Sequence, residues 1–400
     1  MSEPAVHPRI PISLILLAGS LTAVAPLSID MYLPSLPALR AFFHAPAEST
    51  LGAFLVGLAV GQFLYGPLSD RVGRRLPLLG GLALYLVATV ACIFSRSLEA
   101  MIVARFFQAL GGGAGQVLAR AAIRDHFDHQ TSARVLSMLM LVMGVAPILA
   151  PMGGAALVSL GWQAIFIFQV VAAGLITLWA VFAFDETHPP ERAALARGEP
   201  VWTSFGVLMT NWQLVGYVLA GAFNGAALFG YIAAASQLII GDYHIAPGVF
   251  AWVFGANAAG MVGLSQLNAH WLRRHTPEYI LMRARPLSIV FAVLMLIAAW
   301  TGFGGIWGVL APLFLVIASF GLIGPNTQAA AMSVDLSRTG AISSLMGAAT
   351  FAVGAAMTVL VGATHDGTAR PLATIILVAI LLSTAALYGL ARPPKALEAA

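Results

Sequence analysis

Lysine is almost missing: the sole one is Lys395, near the C-terminal end, and no glycine loop precedes it. A P-loop needs a lysine to reach nucleotide phosphates, so ATP is excluded as a fuel bound by this chain. Cysteine is as scarce. Cys92 stands alone, which leaves neither a disulfide framework nor a thiolate metal cage; a small buried apolar residue is the expectation for it. Charge of either sign is also short. Only 9% of the 400 residues are Asp, Glu, Lys or Arg, against about 25% in a soluble globular domain. No His-Glu-x-x-His string and no nucleophile elbow occurs, so neither metal site nor cofactor nor enzymatic activity is expected. Strict period-2 alternation is nearly absent, which argues against a membrane barrel.

What is there instead is oil. The chain is 60% hydrophobic with a mean hydropathy of +0.89. Apolar runs of about 20 residues, the length that crosses a core about 30 Å thick, recur throughout. Twelve are read, near residues 12–32, 49–68, 77–94, 98–119, 135–157, 163–184, 212–239, 249–272, 286–303, 306–331, 341–362 and 371–391. The fold class expected is an all-α membrane protein of twelve helices. The first run follows Arg9 and has something of a signal peptide, but it is too long, lacks a clean cleavage site and carries Asp30; it is read as an uncleaved span.

Arginine is distributed unevenly. With the N-terminus inside, sixteen of the twenty basic residues fall on the cytoplasmic side, among them Arg71, Arg74, Arg75, Arg120, Arg273, Arg274, Arg283 and Arg285. Arg40, Arg96 and Arg370 fall outside and Arg105 within a span. The positive-inside rule accounts for this bias, and no nucleic-acid partner is needed to explain the net charge of +4. Residues 185–211, with Pro189, Pro190 and Pro200 and mixed charge, divide the spans six and six. The organisation expected is a bundle at 1–184, a cytoplasmic linker at 185–211 and a second bundle at 212–400. The run from Leu68 to Arg75 after span two lines up with Leu267 to Arg274 after span eight, the second copy keeping the paired arginines and losing the aspartate and glycine.

Asp30 and Arg105 are the strong charges read as lying within spans. Such groups are costly in a bilayer and mark functional sites by default. Counting about 1.5 Å per residue puts the two at similar depth. Burial would raise the proton affinity of Asp30 and a nearby Arg105 would lower it, so a change of surroundings could load and unload a proton. Pro26 and Pro34 flank Asp30 at four residues on either side and leave backbone acceptors free beside it. The other reading makes Asp30 an outer cap in contact with water. For Arg105 the alternatives are snorkelling to the outer surface or, with Gln108, Gly112 and Gln116 on its face, a polar stripe toward a cavity. The second half shows no charge at mid-membrane in this reading, but Asn224, Tyr231, Asn257 and Phe351 lie among apolar residues. With Tyr32, Gln108 and Gln116 they are the candidate contacts for an amphiphilic, uncharged or weakly charged organic molecule.

Several strings carry a family resemblance across nearly the whole chain. Gly66-Pro67-Leu68-Ser69-Asp70-Arg71-Val72-Gly73-Arg74-Arg75 resembles the signature that follows the second helix of the major facilitator superfamily. Arg105-Phe106-Phe107-Gln108 with Gly111, Gly112, Gly113 and Gly115 is similar to the basic motif of its fourth helix, although the glycines also suit close helix packing. Gly144, Ala146, Pro147, Ala150, Pro151, Gly153 and Gly154 resemble the antiporter motif that marks exporters; a plain kink is the alternative. Ala109 and Ala150 stand where the general motifs more often have glycine. The string from Asp30 to Pro37 and Gly161-Trp162-Gln163-Ala164-Ile165-Phe166 are similar to the Bcr/CflA group of twelve-span drug:proton antiporters.

The resemblance implies two pseudo-symmetric six-helix bundles with cytoplasmic termini in a bacterial inner membrane. It implies export of a drug or antibiotic by alternating access, a proton gradient as energy source, and a functional monomer. It places Asp70 against the amino end of span eleven when the inner gate is closed, with Gly66, Arg71, Gly73, Arg74 and Arg75 as the rest of the gate motif. Two other functions stay open at this point: an importer of an uncharged metabolite, and a transport-inactive membrane receptor.

Overall fold

The computed structural model describes residues 12–127, 135, 146–187, 201–335 and 338–392. The described chain is helical from end to end. In order, the helices are α1 (Ile12–Asp30), α2 (Leu36–Phe43), α3 (Glu48–Val72), α4 (Arg75–Ile93), α5 (Leu98–His126), α6 (Ala146–Val158) and α7 (Gln163–Ala183). After the stretch between the halves come α8 (Val201–Met209), α9 (Trp212–Ser236), α10 (Pro247–Trp271), α11 (Pro277–Thr301), α12 (Gly305–Val334), α13 (Thr339–Thr364) and α14 (Arg370–Ala386). Gly144 and the prolines Pro189, Pro190 and Pro200 lie outside the described residues.

Among the described residues, ten helical stretches are long and apolar enough to span a membrane. α5, 29 residues long, is diluted by Glu99, Arg105, Arg120, Arg124 and Asp125, and α6 is the described part of the fifth span; the set fits twelve. The first span is longer than expected. Pro34 cannot donate a backbone hydrogen bond, so the chain tightens into a single 3-10 turn at Leu33–Ser35 and resumes as α2. Leu175, Leu178 and Phe182 of α7 are exposed at spacings of three and four, as a lipid-facing stripe requires.

Contacts group the helices into halves. α5 packs on α1, α3 and α4, with α7 on α1 and α4; α9 packs on α13 and α14, with α12 on α10 and α11. Small residues permit this closeness: a Cβ on Gly115 would sit 2.4 Å from the Leu21 carbonyl oxygen, and one on Gly111 2.5 Å from that of Gly81. The glycine run of α5 thus serves helix packing.

The halves meet mainly through α3 and α13. Gly52 lies so near α13 that a Cβ there would be 2.6 Å from Thr358 Oγ1. The Leu33–Ser35 turn touches α9 and α10, and α2 touches the turn of π-helix at Gln237–Asp242. Taking the arginine-rich side as inner, these contacts lie toward the outer ends. Polar ties lie nearby, the ion pair Arg40–Glu48 at 2.9 Å in the first half and a contact of His365 Nε2 with Asp242 Oδ1 at 3.3 Å in the second.

Span nine corrects the sequence reading. α11 opens at Pro277, with Thr276 Oγ1 accepting from the Tyr279 N–H as N-cap, and Pro286 lies inside the helix. Arg283 and Arg285 therefore belong to the helix and not to an inner loop, and Arg285 is fully buried.

A candidate cargo cavity between the halves

A cavity of about 220 Å³ lies where the halves face each other. The first half contributes Asp30 from α1, Leu58 from α3, Gln116 from α5 and Pro147 from α6; the second contributes Phe229 and Tyr231 from α9, Phe254 and Asn257 from α10, Ile317 from α12 and Phe351 from α13. Of the residues singled out in the sequence, this brings together Pro26, Asp30, Gln116, Pro147, Tyr231, Asn257 and Phe351. The walls are mostly aliphatic and aromatic. Phe229 and Phe351 pack at 5.6 Å, and Tyr231 stacks on Phe254 at 5.6 Å with 17° between planes. Asn257 Nδ2 donates to Tyr231 Oη at 2.7 Å. Asp30 is the one charged group among the lining residues, and it is 6% exposed.

Arg105, Gln108, Tyr32 and Asn224 do not line this cavity. No ion pair joins Asp30 to Arg105 among the described residues. Arg105 Nη2 donates to the Ser28 carbonyl at 3.3 Å and Nη1 to Gln108 Oε1 at 2.6 Å, while the guanidinium lies 4.3 Å from the Tyr32 ring centre and 4.2 Å from that of Phe54. The reason is helical geometry. Ser28 and Asp30 are two residues apart, so their side chains point about 200° apart around α1. Ser28 Oγ meets Tyr85 Oη of α4 at 2.6 Å, and Asp30 turns the other way, into the cavity.

Behind α1 the first half holds a polar interior that the sequence reading did not foresee. Gln108 Nε2 donates to Thr89 Oγ1 and to Gln169 Oε1, both at 2.9 Å, and the hydroxyls of Tyr32 and Thr50 lie 2.6 Å apart. Gln169, an amide in the middle of an otherwise apolar span, was the available signal. In the second half Arg285 Nη2 donates to Ser383 Oγ at 2.9 Å and Nη1 reaches Asn224 Oδ1 at 3.5 Å. The expectation of no mid-membrane charge in the second half had placed Arg285 in an inner connection; the structure puts it inside a spanning helix and buries it.

The inner turn between α3 and α4 is tied within its own half. The Arg74 guanidinium pairs with Asp70 and, at 2.8 Å, with Asp125 Oδ2, and also donates to Ser69 Oγ at 2.7 Å. Glu186 accepts from the backbone N–H groups of Arg74 and Arg75 at 2.8 and 3.1 Å, capping the start of α4. Gly73 has φ +94°, a conformation suited to glycine, and a Cβ there would strike the Glu186 carboxylate. Arg75 Nη2 donates to the Val181 carbonyl at 2.8 Å. Asp70 is half-exposed, and among the described residues its partner is Arg74; Asp125 and Glu186 were not singled out in the sequence. Gly66 has open space where a Cβ would be.

Gly154 packs against the residue that follows α1, where a Cβ would strike the Met31 carbonyl oxygen, and Gly153 faces the Met31 side chain. These two glycines thus serve their own half. The approach of span five to the other half is made by Ile148, whose side chain lies against Gly255 of α10. Pro151 is buried in α6.

The family description Major Facilitator Superfamily matches residues 18–359. The chain is 31% identical over 388 residues to the uncharacterized MFS-type transporter YdgK of Bacillus subtilis (strain 168), covering 95% of this chain and 96% of that one. It is 29% identical to the bicyclomycin resistance protein homolog of Haemophilus influenzae, over 94% and 95% of the two chains. It is 27% identical to multidrug resistance protein D of Escherichia coli (strain K12), over 84% and 85%. Among solved structures, a D-xylose-proton symporter superposes with a TM-score of 0.74 at 14% identity, over 93% of this chain and 97% of that one, a likeness of fold.

Proposed function

Because this chain belongs to the major facilitator superfamily, a family of multi-pass membrane transporters, we propose that it is a proton-coupled exporter of small lipophilic compounds from a bacterial cytoplasm, seated in the inner membrane and working as a monomer. The observation that carries this reading is the cavity between the halves, walled by aromatic and aliphatic side chains, with a single carboxylate and no cation among its lining residues. Such a wall accepts amphiphilic molecules that are neutral or positively charged and disfavours anions, whose charge would enter unpaired. Relatives named for bicyclomycin and multidrug resistance support the same class of cargo.

Asp30 is the proposed proton site. Cargo and proton compete for its carboxylate: cargo enters with Asp30 unprotonated, the bundles at 1–184 and 212–400 rock about the cavity, an external proton binds Asp30, cargo leaves, and the carrier resets. Arg105 acts from the far side of α1, held by rings and amides while α1 moves. Gln116, Tyr231, Asn257 and Phe351 are the proposed cargo contacts. Asp70 and the inner arginines serve as the gate, with Asp70 exchanging its pairing with Arg74 for the amino end of α13 when the inner side closes.

The test compares wild type with Asp30→Asn in proteoliposomes under an imposed pH difference, with bicyclomycin, a phenicol and a lipophilic cation as cargoes. The expected outcome is gradient-driven accumulation by the wild type and only downhill flux by the variant. Concentrative transport by Asp30→Asn at the wild-type rate would sink the assignment.

A further inference from the structure

Tyr231 and Asn257 form a buried polar pair in a wall that is otherwise nearly all apolar. Each is at most 3% exposed, and both line the cavity from the half opposite Asp30. A phenol oxygen has one hydrogen to give and lone pairs to receive. Asn257 Nδ2 occupies the receiving side at 2.7 Å, so the hydroxyl hydrogen is left for a different acceptor. The ring has little freedom to turn aside, because it stacks on Phe254. Among the described residues no acceptor is bonded to that hydrogen within the second half.

Asp30 is the complementary group. Its carboxylate forms no hydrogen bond or ion pair with described residues, and it faces the same cavity. Apart from Tyr231 itself, no other described lining residue is titratable: α3 offers Leu58, α5 Gln116, α6 Pro147, α12 Ile317 and α13 Phe351. Behind α1 stand Arg105 and Tyr32, engaged with Gln108, the Ser28 carbonyl and Thr50. In apolar surroundings a neutral donor favours a carboxylate strongly over a carboxylic acid.

We infer that the Tyr231 hydroxyl, oriented by Asn257, is the second half's hydrogen-bond donor to the Asp30 carboxylate, a positioning contact through which one half senses whether the other carries a proton. This rests on the proton role proposed above for Asp30. With Asp30 charged and no cargo present, closing the cavity brings the hydroxyl toward it. Protonation removes the negative charge that holds the donor, and a cationic cargo takes that charge for itself. The pair thereby lowers the proton affinity of the empty site and makes it depend on how the halves are arranged.

The experiment is binding of tetraphenylphosphonium to purified full-length protein, titrated between about pH 5 and about pH 9. Wild-type binding should weaken on the acidic side as Asp30 takes up a proton. Losing the donor raises the proton affinity of Asp30, so in Tyr231→Phe the midpoint should move to higher pH by about one unit, seen as about tenfold weaker binding on the acidic limb. The midpoint is read from binding normalised to the alkaline plateau, and thermal unfolding in detergent reports separately that the variant is folded. Asn257→Leu frees the hydroxyl to rotate and should shift the midpoint the same way by less. In an Asp30→Asn background neither substitution should move the profile.

A Tyr231→Phe profile that overlays the wild type would overturn the inference. Binding lowered by the same factor at every pH, with the midpoint unmoved, would also overturn it, since a cargo contact without a link to Asp30, or a structural tie between α9 and α10, behaves that way. A shift that persists without the Asp30 carboxyl counts against it too. If Asp30→Asn alone keeps the wild-type pH dependence, the proton assignment fails, whatever Tyr231→Phe does.

Discussion

Arg105 and Arg285 are both fully buried, one in each half, and among the described residues neither pairs with a carboxylate. They differ in what surrounds them. Arg105 lies between the faces of Tyr32 and Phe54, with Gln108 and the Ser28 carbonyl as acceptors, on a helix packed against the one that carries Asp30. Arg285 reaches Ser383 and Asn224 across α14 and α9, away from the cavity lining. Burial alone therefore does not distinguish the two cations; their surroundings do. The nearer a buried charge lies to the moving parts and the cavity, the stronger its claim to a functional role.

That difference can be broken or sharpened. The largest effect should come from Arg105→Lys, because a compact ammonium cannot cover two rings and reach both acceptors; gradient-driven extrusion should fall by about tenfold or more. Equal extrusion would make Arg105 as much a structural cation as Arg285. Next, Ser383→Ala removes the nearer acceptor of Arg285 and should destabilise the protein by about 1–3 kcal/mol in thermal unfolding in detergent, with little change in pH profile. Smallest is Arg285→Met, which exchanges the buried cation for an apolar chain of similar length; stability should stay within about 1.5 kcal/mol of wild type and extrusion within about threefold. A severe transport loss in folded Arg285→Met would move Arg285 into the functional class.

Much of the architecture was legible in the sequence because the bilayer imposes one length on every span and one sign of charge on the inner connections. Seven of the residues named beforehand also meet at the cavity. What spacing could not give was the surroundings of a face. Arg105, Gln108 and Gln116 do share a side of α5 by count, yet Tyr32 and Phe54 stand in front of Arg105 and only Gln116 reaches the cavity. Arg285 was lost for a different reason. The ninth span was read from residue 286, whereas Thr276-Pro277-Glu278 carried the start signature, a capping hydroxyl followed by proline and an acid. Asp125 and Glu186 escaped notice because they are distant in sequence from the arginines they hold, and only the folded bundle makes them neighbours.

A cavity with a single acid has a bearing on valence. One unit of negative charge can answer one positive centre, so a molecule with two separated cationic groups would bring the second into an oily wall with nothing to neutralise it. On the export function proposed above, the acid that would admit a monocation would thus also set an upper limit on the charge of what can follow it through.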